Sequence, residues 1–144
     1  MDFFGSRIDV PTQRRFGDID SVRRYVDSVL ALPVITSTFP LAAPITVRER
    51  SGQGRAHYES QSATIAIPMR LPWAAREAVV LHEIAHHLAC SAQHPAPPGS
   101  RRQWHGLAFR QTMCGLVQTV LGEQAALMLR AGYEEAGLRT VGAS

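Results

Sequence analysis

The sequence predicts an α+β fold, with a small, mostly antiparallel sheet packed on one apolar helix and two or three further helices around it. Two observations carry this prediction. Short β-prone segments with turn residues between them fall within residues 45–67. Segments of helical length and periodicity fill residues 18–32 and most of the chain after residue 73. Strands followed by helices, rather than strict alternation of the two, are typical of the α+β class.

Length and composition narrow the class of protein. The 144 residues are expected to form one domain, 1–144, with residues 1–17 and 137–144 loose. An apolar content of 45% and a charged content of 19% are typical of a folded globular chain. No apolar run approaches the roughly 18 residues of a membrane span. The first residues lack the basic and apolar parts of a secretory signal, so we expect a cytoplasmic protein that does not associate with membranes.

The charged residues and the cysteines give weaker indications of function. All 15 basic residues are Arg, and the net charge of +3 permits weak binding of nucleic acid without demanding it. These Arg residues are spread along the chain, which favours solvated surface over a nucleic-acid site. Cys90 and Cys114 form no zinc-finger spacing, and we interpret both as small buried apolar residues.

The first half of the chain predicts one helix and three strands. Asp18 to Leu32 has apolar residues at helical spacing, with Asp18 or Asp20 as its N-cap, and residues 33–44 are expected to form a loop. Three β segments follow, of which the first two are expected to pair as a hairpin across the Ser51–Gly54 turn: 45–50, 55–59 and 63–67.

The second half predicts three helices. The first runs from Trp73 to Cys90, with Pro72 in its first turn, where a missing N–H costs nothing. Residues 91–103 contain three Pro and predict a loop. Two helices complete the chain, 105–121 and 123–136, of which the second offers Ala126, Leu127, Leu129 and Tyr133 to the core.

The segment around residue 83 contains the candidate metal-binding and catalytic residues. His82, Glu83 and His86 form a His-Glu-x-x-His motif on an apolar helix. Residues four apart lie about 40° apart around a helix axis, so the two imidazoles can converge on one metal ion. Glu83 is rotated by about 100° and can act on a metal-bound water instead of binding the ion. This division of roles predicts a zinc-dependent hydrolase with Glu83 as general base.

A catalytic zinc usually takes a third protein ligand. The longer signature with Gly and His after the motif is absent, because Ala89 and Ala92 occupy those positions. No Asp follows Asp27. His87 points about 100° away from His86 and is a poor candidate. The remaining candidates are His94, His105, Glu123, Glu134 and Glu135.

At this point the sequence resembles a family, the SprT-like zincin proteases. The resemblance covers roughly residues 44–121 and is carried by His82, Glu83 and His86, followed by His-Gly-x-x-Phe from His105 to Phe109. Within that group the chain is most similar to small metallohydrolases of actinobacteria and their phages. The resemblance implies a minimal zincin fold, a zinc cofactor with a third ligand on the next helix, and a peptide or protein substrate. It does not extend to DNA-linked targeting, because no further cysteine cluster is present.

We assign the third ligand to His105. The 19 residues from His86 (105 − 86 = 19) are enough to finish the helix, pass through the Pro-rich loop and return, and Gly106 permits close backbone approach. His94 is the rival, and Glu123 suits an N-terminal helix charge better. We also expect residues 63–67 to be an edge strand that pairs with an extended substrate.

The alternative to a peptidase is a catalytically silent zincin-like module that binds metal and regulates or interacts. An intact Glu83 argues against this alternative, since such a module has no need of a base.

Overall fold

The structure is a computed structural model that describes residues 2–3, 6–7, 14–52, 54–71, 74–92 and 105–141. The chain folds as two compact units, Thr12–Ala92 and a second unit formed by Met1–Pro11 with Gln93–Ser144. In chain order the elements are β1 (Asp2–Phe3), β2 (Ser6–Arg7), α1 (Ile19–Leu30), α2 (Pro33–Thr38), β3 (Thr46–Glu49), β4 (His57–Glu59), β5 (Thr64–Ile67), α3 (Glu77–Ala92), α4 (Leu107–Leu121) and α5 (Glu123–Glu135). The α+β class is therefore confirmed.

Helix α1 begins where the sequence predicts. The Asp18 carboxylate caps it by accepting a hydrogen bond of 2.7 Å from the backbone N–H of Ser21. Its buried stripe faces the core of the first unit and consists of Val22, Tyr25, Val26 and Val29. The segment that follows was expected to be a loop, and this expectation is wrong for Pro33–Thr38, which form α2. Pro33 is suited to the first turn of a helix because its fixed φ matches the helical value.

The sheet of the first unit has the order β3-β5-β4. β3 pairs with β5 in parallel, and β4 pairs with β5 antiparallel, so the sheet is mixed and not mostly antiparallel. The predicted hairpin between residues 45–50 and 55–59 is wrong. The antiparallel neighbours are instead β4 and β5, joined by the 60–63 turn.

The edge-strand prediction for residues 63–67 is also wrong. β5 is the central strand and is paired on both sides. Its side chains explain this position, because Ile65, Ala66 and Ile67 are fully buried and Thr64 is nearly so. A strand that is buried on both faces belongs in the middle of a sheet. An edge strand with alternating polar and apolar residues would instead have one face exposed to solvent.

Helix α3 carries the motif and starts later than predicted. It begins at Glu77 and ends at Ala92, two residues past the predicted end. The predicted start at Pro72 and Trp73 lies outside the described residues. Residues 14–16 fix this end of the helix, since the backbone N–H of Glu77 donates to the carbonyl of Arg14 (2.9 Å) and that of Phe16 donates to Ala75 (3.0 Å).

The second unit contains the β1–β2 pair and the helices α4 and α5. The bounds of α4 and α5 agree with the predicted bounds within two residues at each end. Gly122, with φ of +103°, separates the two helices. Ala126, Leu129 and Tyr133 of α5 are buried as expected, but Leu127 is 65% exposed and does not belong to the core. None of the described helices is long and apolar enough to cross a membrane.

Candidate metal centre

Helix α3 sets the geometry of His82, Glu83 and His86. The two imidazole rings lie on the same side of the helix with their centroids 4.9 Å apart. His82 is partly exposed, whereas His86 is only 7% exposed. The helix around them is apolar and fully buried at Leu81, Ile84, Ala85 and Leu88. Because α3 is anchored by core on both sides of the motif, the positions of these histidines are set by the packing of the helix.

Glu83 is a buried carboxyl group. Its exposure is 5%, and burial raises its pKa to about 8, because a carboxylate that leaves water loses its hydration. A cation beside it would favour the charged form and lower that pKa. Without a cation the group therefore favours its protonated form at neutral pH, and only the carboxylate form can act as a general base.

A second buried carboxyl group, that of Glu77, holds the first turn of α3. Its Oε2 accepts a hydrogen bond of 2.5 Å from the Tyr25 hydroxyl, and its Oε1 accepts one of 3.3 Å from the backbone N–H of Arg14. Burial and the neighbouring carboxylate raise the pKa of Tyr25 far above its usual value, so this hydroxyl remains a donor. This anchor was not predicted from the sequence. The sequence feature that could have indicated this contact is Tyr25, which lies three residues after Val22 on the apolar stripe of α1.

His87 faces away from its neighbour His86 and serves a different purpose. Its Nε2 lies 2.6 Å from the carbonyl of Ala43, and its Nδ1 lies 2.8 Å from the hydroxyl of Tyr58 on β4. A carbonyl can only accept, so Nε2 carries the proton and Nδ1 accepts from Tyr58. Burial lowers the pKa of His87, which favours this neutral form. Both ring nitrogens are thus used in joining α3 to the sheet side of its unit, in agreement with the prediction that His87 is not a ligand.

His105 lies in the turn that precedes α4. The residue is exposed, and its ring packs edge-on against Phe109, with centroids 5.2 Å apart. Phe109 is 1% exposed, so it provides a fixed surface for the imidazole. Gly106 is the N-cap of α4. Partial burial of the imidazole lowers the pKa of His105, which favours the neutral form that binds metal.

Among the described residues, His82, His86 and His105 form a group whose ligand atoms all lie within 4.8 Å of one another. This three-histidine group could hold a metal ion. Three neutral imidazoles are a donor set that suits zinc and other late transition metals, and three protein ligands leave a coordination position open. Glu123, Glu134 and Glu135 are exposed residues of α5 and are not part of the group. His94 lies outside the described residues.

A hydrolase needs a polar group that stabilises a developing oxyanion, and the described polar side chains include His57, Tyr58 and Tyr133. The structure shows His57 paired with Glu59 (2.8 Å) and the Tyr58 hydroxyl bonded to His87. Tyr133 is 1% exposed, and its hydroxyl has no hydrogen-bond partner in the described part of the chain. A phenol buried in this way is a core residue, so Tyr133 is a poor candidate for contact with a substrate.

No family model matches this chain, and comparisons with curated proteins and with solved structures also returned no match.

Proposed function

We propose that this protein is a zinc-dependent hydrolase, and most specifically a peptidase with a zincin-like site. The observation that carries the proposal is the three-histidine group together with Glu83, which is buried next to His82 in the motif. Two histidines four residues apart with an adjacent carboxylate provide two ligands and a base on one turn of helix. A structural zinc site would use all four coordination positions for protein ligands, whereas three histidines leave one position for water or substrate.

The chain's own residues divide the work as follows. His82, His86 and His105 would hold the ion, and a zinc ion held in this way lowers the pKa of a coordinated water and polarises a carbonyl group. Glu83 accepts a proton from the attacking water at its carboxylate and returns it to the leaving amine, which is the role of a general base that then acts as a general acid. His87 keeps α3 in register with the sheet through Ala43 and Tyr58.

The sheet also supports a placement for an extended substrate. β5 is central and cannot accept another strand. At one edge, the Val47 carbonyl of β3 accepts a hydrogen bond of 3.2 Å from the Arg23 side chain on α1. The other edge strand is β4. It carries Tyr58, whose hydroxyl is bonded to His87 of α3, the residue after His86. We therefore place main-chain pairing with a peptide at β4.

The experiment that tests this function compares wild type with Glu83→Gln, loaded with one equivalent of zinc and assayed on casein and a peptide library. Glutamine keeps the size of the side chain but cannot take a proton, so cleavage should fall by roughly 10²–10⁴-fold while zinc is retained. The matched control is Glu135→Gln, the same substitution at an exposed residue of α5, which should keep full activity.

Three outcomes contradict the proposal. Loss of zinc from Glu83→Gln would show that Glu83 is a ligand and not the base. Equal cleavage by wild type and Glu83→Gln would mean that the activity arises elsewhere. A wild-type protein that binds one zinc and cleaves nothing would support the alternative of a catalytically silent metal-binding module.

A further inference from the structure

The third proposed ligand is held by an arginine that is not part of the metal site. Arg110 lies in the first turn of α4, five residues after His105. Its Nη1 donates a hydrogen bond of 2.8 Å to the backbone carbonyl of His105. Its Nε donates a second one, also of 2.8 Å, to the backbone carbonyl of Arg139. One planar guanidinium thus joins the turn that carries His105 to the segment that follows α5.

The segment at the other end of this bridge has a defined conformation. Helix α5 ends in a Schellman motif, in which the N–H of Leu138 donates to the Tyr133 carbonyl (2.8 Å) and that of Gly137 donates to Glu134 (2.9 Å). Gly137 has φ of +80°, a conformation that residues with a Cβ rarely adopt. The turn at Gly137 directs the chain so that the Arg139 carbonyl meets Arg110, and Thr140 beyond it is 7% exposed.

The His105 turn lies just outside regular secondary structure. It precedes the first residue of α4, its Gly106 N-cap provides no side-chain hydrogen bond, and the residue is exposed. The ring of His105 contacts Phe109, whereas the Arg110 side chain holds the backbone carbonyl of the same residue. Arg110 supplies a fixed hydrogen-bond donor to that backbone. A fork of donors such as a guanidinium can satisfy two carbonyls at once, whereas a lysine is a single point charge on a flexible stem.

We propose that Arg110 is a positioning residue for the third metal ligand, and that the segment 136–140 contributes to metal affinity through it. This inference rests on the proposed function, because it assumes that His105 binds the metal together with His82 and His86. Arg110 touches neither metal nor substrate. It acts by holding the His105 backbone where the imidazole can reach the ion, so its loss should lower affinity without removing a ligand.

The test measures zinc affinity by competition with a chromophoric chelator, using the full chain with Arg110→Ala, Arg110→Lys and His105→Ala. Interactions that orient a ligand are typically worth 10- to 100-fold in metal affinity, so Arg110→Ala should weaken zinc binding by about that factor. Arg110→Lys should restore only part of it. Arg130→Ala is the control, because Arg130 bonds to the Gln118 side chain (3.1 Å) and not to the His105 turn. Its zinc affinity should equal that of wild type.

A purely structural role for Arg110 would lower the melting temperature without changing the metal site. The absorption spectrum of the Co²⁺-loaded protein separates the two roles, since its visible bands report ligand geometry. We expect altered bands in Arg110→Ala and unaltered bands in Arg130→Ala. If Arg110→Ala does not fold, Gly137→Ala decides the matter from the other end of the bridge. That variant strains the turn while nothing lies within 4 Å of the added Cβ, and it should weaken zinc binding in the same direction.

This inference is overturned if folded Arg110→Ala has wild-type zinc affinity and an unaltered Co²⁺ spectrum. If only Gly137→Ala folds, wild-type zinc affinity in that variant overturns it. Failure of the proposed function has a different signature. In that case His105→Ala binds zinc as tightly as wild type, or wild type binds none. If His105→Ala weakens binding and Arg110→Ala does not, only the positioning role fails.

Discussion

The residues of the three-histidine group come from two regions that are built in different ways. His82 and His86 belong to the interior of α3, where regular helical spacing and a buried apolar surround fix their directions. His105 belongs to an exposed turn before α4, where its ring contacts Phe109 and its carbonyl accepts a hydrogen bond from Arg110. The first region is set by secondary structure and core packing, and the second depends on a few specific contacts. Substitutions near the two should therefore have different consequences.

The largest effect is expected when the third proposed ligand is removed. His105→Ala should weaken zinc binding by roughly 100-fold or more, because one of the three proposed imidazole ligands is lost while α3 still offers two. Glu123→Ala is the control, since Glu123 is an exposed residue at the start of α5. Chelator competition measures both. If Glu123→Ala loses as much affinity as His105→Ala, the assignment of the third ligand is wrong.

The buried carboxyl group of α3 predicts a pH dependence of the metal-free protein. The pKa of Glu83 is about 8 in the folded chain against 4.5 in the unfolded chain, so the folded state binds the extra proton. The free energy of unfolding should then fall as pH rises from about 4.5 to 8, by on the order of 5 kcal/mol from this group alone.

Denaturant titrations in the presence of a chelator, for wild type and Glu83→Gln at several pH values, measure this loss. His87 acts in the opposite direction, because its pKa is lowered and its contribution to stability is lost below about pH 6.5. Since both proteins contain His87, the difference between them isolates Glu83. Parallel pH profiles for the two proteins would show that burial does not raise the pKa of Glu83.

A smaller effect is expected at the anchor of α3. Tyr25→Phe removes the hydrogen bond to the buried Glu77 carboxylate and should lower the free energy of unfolding by about 1–3 kcal/mol. Tyr133→Phe is a matched control, because the Tyr133 hydroxyl has no hydrogen-bond partner among the described residues. Loss of the Tyr133 hydroxyl should leave the free energy of unfolding unchanged. Equal destabilisation by the two variants would show that the Tyr25–Glu77 contact does not anchor α3.

The same contrast explains what the sequence could predict. The direction of His82 and His86 follows from the helical repeat, and the bounds of α1, α4 and α5 follow from periodicity and from Gly122. The order of the strands does not follow from local pattern. A turn with two Gly between residues 50 and 55 favoured a hairpin of β3 and β4, but both strands pair with β5 because its side chains are buried on both faces.

Long-range contacts could not be predicted from the sequence for the same reason. The bond from His87 to Ala43 spans 44 residues, and the bond from Tyr25 to Glu77 spans 52. No periodicity within one segment encodes such partners. The assignment of His105 drew on its spacing and on the resemblance to a family motif, and Arg110 gave no signal until its two carbonyl partners were known.

The most direct test of the central claim is X-ray absorption at the zinc edge, applied to wild type loaded with one zinc per chain and to His105→Ala. We expect three imidazole nitrogens at about 2.0–2.1 Å from zinc in wild type and two in the variant. Two imidazoles in both proteins, or a wild-type protein that retains no zinc, would contradict it.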